Sequence, residues 1–289
     1  ICQIHCWIVA GADDDHCAPG RLRGPDEYVV FGTPRHRGAE GGSECKAAFA
    51  SLCHAIQHEF RGHDPLIQAL AAHYHFAAMH PFLDGNGRTA RAMEALFLQR
   101  VGLKESLFIA MSNYYYDEKA GYLNALAQAR SGGHDLTPFV LFGLRGIEQQ
   151  CARLLNEIST HLRKALFRNM MFRLFQSLQS TRKRVLAQRQ VEVLKLLLEH
   201  NTRTLSEVIV DTGSTYQTLG SPVKALIRDL NQLLHLGAIK ARKTAESEWE
   251  LRVNLDWPTE ITETSFYQKV QELPKAKTGS FTMSFAAAG

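Results

Sequence analysis

The sequence predicts a mainly α protein: a helical domain that carries a small β-hairpin, followed by a C-terminal α/β domain. Three observations point there. Apolar residues recur at helical spacing through most of the first 146 residues. The only strand-like run in that region, Tyr28-Val29-Val30-Phe31-Gly32, lies in a stretch rich in glycine and proline. Strand-period alternation then returns late, at Ile239 to Lys243 and at Trp249 to Val253. At 289 residues and 45% apolar composition the chain can build two modest cores. No apolar run approaches the ~20 residues of a membrane span.

The elements follow in order. Ile1 to Ala10 is apolar but lacks the basic start of a signal peptide, and it reads as the end of a buried helix. Glycines and prolines between Gly11 and Gly42 mark loops, with a hairpin at about 20–35. Asp64-Pro65 is an N-cap followed by proline at the first helical position, and Leu66, Ile67, Leu70, Ala71, His73, Tyr74 and Ala77 keep the helical period until Pro81. That helix ends at about His80. Ala90, Met93, Leu96, Phe97 and Val101 set a second helix from near Arg88 to a stop at Gly102. The helical signal continues from Ser106 to Leu144, where Tyr114, Tyr115, Tyr116 and Tyr122 suit either helix packing or stacking on a nucleobase.

Residues 147–184 form a helical basic connector. Eight Lys or Arg residues lie between Ile158 and Val191 with no acid among them, while the whole chain carries only +4. In 185–256 a helix closes at His200-Asn201, a short one spans Ser206 to Asp211 before Gly213, and a third runs from Pro222 to Leu236 before Gly237. Two strands follow. The 257–289 segment is read as a tail, and its last part, from Pro274, has too little apolar content to fold alone.

The twelve residues His80-Pro81-Phe82-Leu83-Asp84-Gly85-Asn86-Gly87-Arg88-Thr89-Ala90-Arg91 carry the chemistry. Gly85-Asn86-Gly87 falls at the N-terminus of the second helix, where unpaired N–H groups attract phosphate and glycines let the backbone approach it. Arg88 and Arg91 are three apart and share a face, so both reach one polyphosphate. Asp84 in such a loop would repel the ligand unless a cation lay between them, which implies Mg²⁺ bridging Asp84 to phosphate oxygens. His80 is the group here that accepts a proton near neutral pH, and is the natural base for a hydroxyl nucleophile.

This stretch resembles the Fic motif, H-P-F-x-D/E-G-N-G-R-x-x-R, at all nine fixed positions. The looser resemblance runs from about Gly20 to Leu144, somewhat under half the chain. It implies a Fic domain at 1–146 with a catalytic loop at 80–91, and a protein adenylyltransferase that moves AMP from ATP to a Ser, Thr or Tyr hydroxyl of a target protein. It further implies that His80 deprotonates the hydroxyl, Asp84 holds Mg²⁺, and Gly85, Asn86 and Gly87 cradle the α- and β-phosphates. Arg88 would hold phosphates, Arg91 the γ-phosphate, and Phe82 would plug the loop into the core. Doc-type relatives, which act as kinases, carry lysine where Gly87 stands, so AMP transfer is favoured. In this family a hairpin flap clamps the target by strand addition, which assigns that role to Tyr28, Val29, Val30 and Phe31. Relatives often place a polar residue near Arg130 to contact the nucleotide.

Three helices followed by a hairpin resemble a winged helix, so the second domain is expected to be α/β of that type. Lys224, Arg228, Lys240, Arg242 and Lys243 are candidate contacts to DNA phosphates, although Asp229, Glu246 and Glu248 dilute the charge. The module is alternatively a docking surface for a protein or a second copy of the chain. The competing function is therefore a DNA-binding regulator whose Fic site only senses a nucleotide. Many Fic proteins are held inactive by S/T-x-x-x-E-G/N, whose glutamate pairs with the second motif arginine. No complete copy occurs here, so that helix is expected to lie upstream of Ile1, to be supplied by a partner or to be absent, and Arg91 is expected to be free for the γ-phosphate.

Other candidate sites are weaker. His58 and His63 are five apart, which puts them on different helical faces and excludes a zinc-protease reading. His54 and His58 have the right spacing, but among 13 histidines such a coincidence is unremarkable. Cys2, Cys6, Cys17, Cys45, Cys53 and Cys151 include no C-x-x-C pair, so free thiols in a reducing, cytoplasmic setting are expected.

Overall fold

A computed structural model describes residues 1–11, 17–100, 102–103, 105–178, 181–245 and 247–273. The chain divides into two compact units, Ile1–Leu155 and Asn156–Gly289.

The first unit opens with α1, Cys2–Val9, and a two-stranded antiparallel hairpin of β1, Val30–Phe31, and β2, His36–Arg37. The strands are shorter and later than the strand-like run suggested: Tyr28 and Val29 lie outside them, and the hairpin closes at Arg37 rather than near 35. After α2, Ser43–Gln57, comes α3, Pro65–Met79. Its start follows the sequence signal: the Asp64 side chain accepts from the Leu66 amide at 2.8 Å, with Pro65 at the first turn. It ends at His80, a non-glycine residue in the left-handed region with φ 50°. Nine of its residues are buried, because α2, α4 (Asn86–Arg100) and α6 (Lys119–Ser131) surround it. Helix α4 therefore starts two residues before the expected Arg88.

α5, Glu105–Asp117, lies between α4 and α6 in sequence, and α7 follows as one continuous helix, Thr137–Gln176. Most of the connector expected at 147–184 is thus the continuation of a helix that begins at Thr137 and ends at Gln176. Close packing sets its first turns, where a Cβ on Gly143 would meet Leu70 at 2.3 Å and one on Gly146 would meet Tyr114 at 2.3 Å. Three apolar clusters fill the unit, one beneath the motif loop around Phe76, Phe82 and Met93, the others around Met111 with Tyr114 and around Leu70 with Phe139.

The second unit comprises α8 (Thr181–His200), β3 (Arg203–Thr204), α9 (Leu205–Asp211), α10 (Gly213–Tyr216), α11 (Pro222–His235), β4 (Ile239–Lys243) and β5 (Trp249–Val253). The antiparallel sheet has the order β3-β5-β4. Thr204 opens α9 with a reciprocal capping box to Glu207. Gly213, expected only to stop a helix, begins the short α10. Gly237 closes α11 at φ 78° as its composition predicts.

Residues 257–273 are not a tail. They form α12, Trp257–Glu260, and α13, Glu263–Glu272, and bury Trp257, Ile261 and Phe266 in the core of this unit. Trp257 also donates its indole N–H to the Leu236 carbonyl at 2.9 Å. Three large apolar side chains spaced over ten residues outweigh the polar composition around them. The rest of the expected tail, 274–289, and the side chains of Arg182, Lys183 and Arg184 in the basic connector lie outside the described residues.

Candidate active site

The motif loop joins the C-terminus of α3 to the N-terminus of α4, and buried side chains hold it from below. Phe82 is fully buried and stacks on His5 of α1 with ring centroids 3.7 Å apart. Asn86 is buried as well. Its Oδ1 accepts from the Phe82 amide at 3.0 Å and its Nδ2 donates to the Phe82 carbonyl at 2.8 Å. The Asn86 side chain thus braces the loop rather than lining a phosphate cradle, and only its backbone remains for that role. Thr89 adds a bond from its hydroxyl to the Gly85 carbonyl at 2.9 Å. Gly85 has φ 75°, and a Cβ there would meet Val9 at 2.9 Å and His5 at 3.2 Å, so glycine is required twice over. Around Gly87 space is open, with only the Arg91 guanidinium nearby at 3.4 Å. The first N–H groups of α4 lack intrahelical acceptors, which makes this end a natural anion site.

His80 occupies the C-cap of α3. Its Nδ1 lies within hydrogen-bond distance of the Ala77 carbonyl, which can only accept, so Nδ1 carries the proton and Nε2 the lone pair. Phe31 of β1 stacks on the imidazole, with centroids 3.4 Å apart and an interplanar angle of 11°. The Phe31 side chain is thus turned onto His80, while its strand backbone belongs to the expected flap. Tyr28, at 62% exposure, and Val30 remain accessible. Burial pushes the His80 pKa down to about 4, and the Arg23 and His36 charges add to the effect, against an opposing contribution from the Ala77 hydrogen bond and Asp84. The ring is neutral at pH 7.

Asp84 and Arg88 form an ion pair at 2.7 Å, with both side chains about half exposed. Such a surface pair contributes at most about 1 kcal/mol, so it opens readily to a better ligand. Among the described residues there is no group of three or more His, Cys, Asp or Glu side chains suited to a metal. A cage built from protein alone is therefore not what Asp84 offers, but one carboxylate completed by phosphate oxygens suits Mg²⁺.

An apolar cleft lies between the hairpin, α3 and α6, lined by Phe31, Thr33, Tyr74, Ala77, Leu126 and Arg130. Tyr114, Tyr115 and Tyr122 do not line it. They pack in the helical core, while Tyr116 points into solvent at 79% exposure. Of the two uses left open for these tyrosines, packing is the one observed.

Residues 1–98 match the Fic/DOC family. The chain is 34% identical over 97 residues to protein adenylyltransferase fic-1 of Caenorhabditis briggsae, and equally to that of Caenorhabditis elegans, covering 34% of this chain and 18% of each relative. It is 38% identical over 85 residues to protein adenylyltransferase Fic of Nematostella vectensis, covering 29% of this chain and 18% of that relative. The matched stretch spans less than a fifth of these relatives' length. A crystal structure of a Fic family protein from Desulfovibrio desulfuricans G20 aligns over 86% of this chain and 66% of that one, with a TM-score of 0.46 and 20% identity, a likeness too weak to argue from.

Sequence reading missed several residues that build the candidate site. His5 accepts from the Gly20 amide through Nδ1 at 2.9 Å and donates from Nε2 to the Asp84 carbonyl at 3.0 Å. Burial lowers its pKa, consistent with the neutral ring these two bonds require. Glu94, buried on α4, bonds His73 of α3 and accepts from the Tyr115 hydroxyl at 2.8 Å, while His73 Nε2 meets Tyr122 at 3.1 Å. The one available signal was a polar residue on an otherwise apolar helical face. His54 and His58 lie with rings 4.5 Å apart and Glu59 lies 3.5 Å from His54, but among the described residues they belong to no group of three suited to a metal.

In the second unit the candidate DNA contacts lie on α11 and β4, and several are engaged by acids. Arg242 pairs with Glu250 at 2.7 Å, Lys240 lies 3.9 Å from Asp256, and Arg228 lies 3.9 Å from buried Asp229.

Proposed function

We propose that the first unit is a protein adenylyltransferase, transferring AMP from ATP to a hydroxyl side chain of a target protein. The observation that carries this reading is His80, neutral, with Nδ1 fixed on a carbonyl and Nε2 left as the acceptor, on the loop that leads into the N-terminus of α4. His80 Nε2 takes the proton of the target hydroxyl. The hydroxyl oxygen bonds the α-phosphorus, and the bond from that phosphorus to the β-bridging oxygen breaks and releases pyrophosphate. The α4 amides with Gly85 and Gly87 receive phosphate oxygens, and Arg88 and Arg91 balance the β- and γ-phosphate charge. Asp84 would hold Mg²⁺ together with those phosphates; the bound ion neutralises charge on the leaving group. The cleft beside Phe31 is the apolar slot suited to the base, and the exposed hairpin residues Tyr28 and Val30 support strand addition of the target. The test is incubation with Mg²⁺ and ATP labelled at the α- or the γ-phosphate. Protein-bound label from α alone supports the reading, and transfer from γ alone, or from neither, defeats it.

The helix order and the small sheet of the second unit support a winged-helix reading of 185–256, with a docking role. The alternative, a DNA-binding regulator using the Fic site as a sensor, is weakened by the acids beside Arg228, Lys240 and Arg242. Salt-dependent affinity for duplex DNA with Kd near the micromolar range or below would revive it.

A further inference from the structure

Arg23 is 1% exposed, and among the described residues no carboxylate is hydrogen-bonded to it. Backbone carbonyls surround it instead. Nε donates to the His80 carbonyl at 2.8 Å, Nη1 to Glu27 at 3.0 Å, and Nη2 to Ala39 and, at 3.3 Å, to Met79. Its own amide donates to the Pro81 carbonyl at 3.0 Å. Met79 and His80 end α3, where carbonyls lack intrahelical donors and carry the negative end of the helix dipole, so a cation there is favourable. His80 also sits in the left-handed region, a conformation a β-carbon disfavours and surrounding bonds must hold. Glu27 and Ala39 flank the β1-β2 hairpin on either side. A single side chain thus ties the backbone of His80 to both stems of the hairpin.

We infer that Arg23 is a positioning residue for His80, fixing the backbone from which the base projects and linking its setting to the hairpin. The inference rests on the reading of His80 as the base. A guanidinium reaches these carbonyls because its five donors form a rigid planar fork; lysine presents three donors from one point and cannot span them.

The test uses the full chain with Arg23→Lys and Arg23→Gln. Steady-state transfer should show kcat reduced by roughly 10–100-fold with the KM for ATP within about twofold, since misplacing a base by about 1 Å costs rate on that order. Nitrogen-15 NMR of the ring should show His80 losing its single Nδ1–H form. A folded variant with the parental kcat and parental His80 ring signals overturns the inference, as does equal loss of ATP affinity and rate. If both variants unfold, the parent protein decides. A scalar coupling across Arg23 Nε–H and the His80 carbonyl, with one ring tautomer, supports the assignment; absence of that coupling overturns it. If the parent transfers no label, the reading of His80 as base fails, while the ring spectra still report on Arg23 independently.

Discussion

His80 owes its chemistry to what surrounds it. His80→Ala should reduce label transfer by roughly 10²–10⁴-fold while leaving ATP affinity near parental, which binding calorimetry checks against the rate. Its pKa of about 4 gives the pH dependence a sign. As far as this residue is concerned, transfer stays level from pH 8 to about 5 and falls as pH approaches 4, whereas an ordinary histidine would be half protonated near 6.5. The unfolded chain takes up a proton at this position that the folded one refuses, so stability drops as pH falls from 6.5 to about 4, by on the order of 3 kcal/mol. Comparing acid unfolding of the parent with His80→Asn measures it. Asp84→Ala should abolish most of the Mg²⁺ dependence of ATP binding and leave metal-free binding unchanged or improved, read by titration with and without the ion. The motif made these roles legible, because its residues are contiguous. Arg23 and His5 were not, since their partners lie 57 and 79 residues away and leave no local pattern. The Asn86 side chain was not legible in its bracing role either, because spacing places its backbone at the helix start without showing that Oδ1 and Nδ2 close on Phe82.

At the scale of elements, close backbone approach decides more than hydrophobic period. Gly143→Ala on α7 should destabilise by about 1–3 kcal/mol, because the added carbon falls 2.3 Å from Leu70 in a filled core. Gly62→Ala, with nothing within 4 Å, should change stability little. Denaturant midpoints of the two variants check the contrast. The boundaries of α3, α11, β4 and β5 were readable because each carries its own stop or start: Asp64-Pro65, Gly237, or strict alternation. β1 was overestimated, because a run of β-branched and aromatic residues signals propensity without fixing how many pair. α12 and α13 were missed for the opposite reason, their few apolar residues being decisive only once the core that receives Trp257 and Phe266 exists.

At the scale of the whole molecule, each unit carries apolar clusters of its own: among the described residues those of the first unit lie between Ile1 and Leu154, and that of the second between Phe167 and Val270. A chain stopped after Leu155 should therefore fold cooperatively and retain label transfer, as judged by a single calorimetric transition and by the α-labelled ATP assay. Loss of folding in that piece would show that the first unit depends on the second. The hydrogen bond from Gly20 to His5 gives a way to watch the site in the intact protein. Gly20 sits in an irregular loop, where an amide ordinarily swaps its proton with water within seconds. Here that proton is held by a ring that also grips the carbonyl of Asp84, so its deuterium uptake clocks the release of α1 from the catalytic loop. That one slow signal thus becomes a spectroscopic gauge of how often the motif loop comes apart while the rest of the protein stays folded.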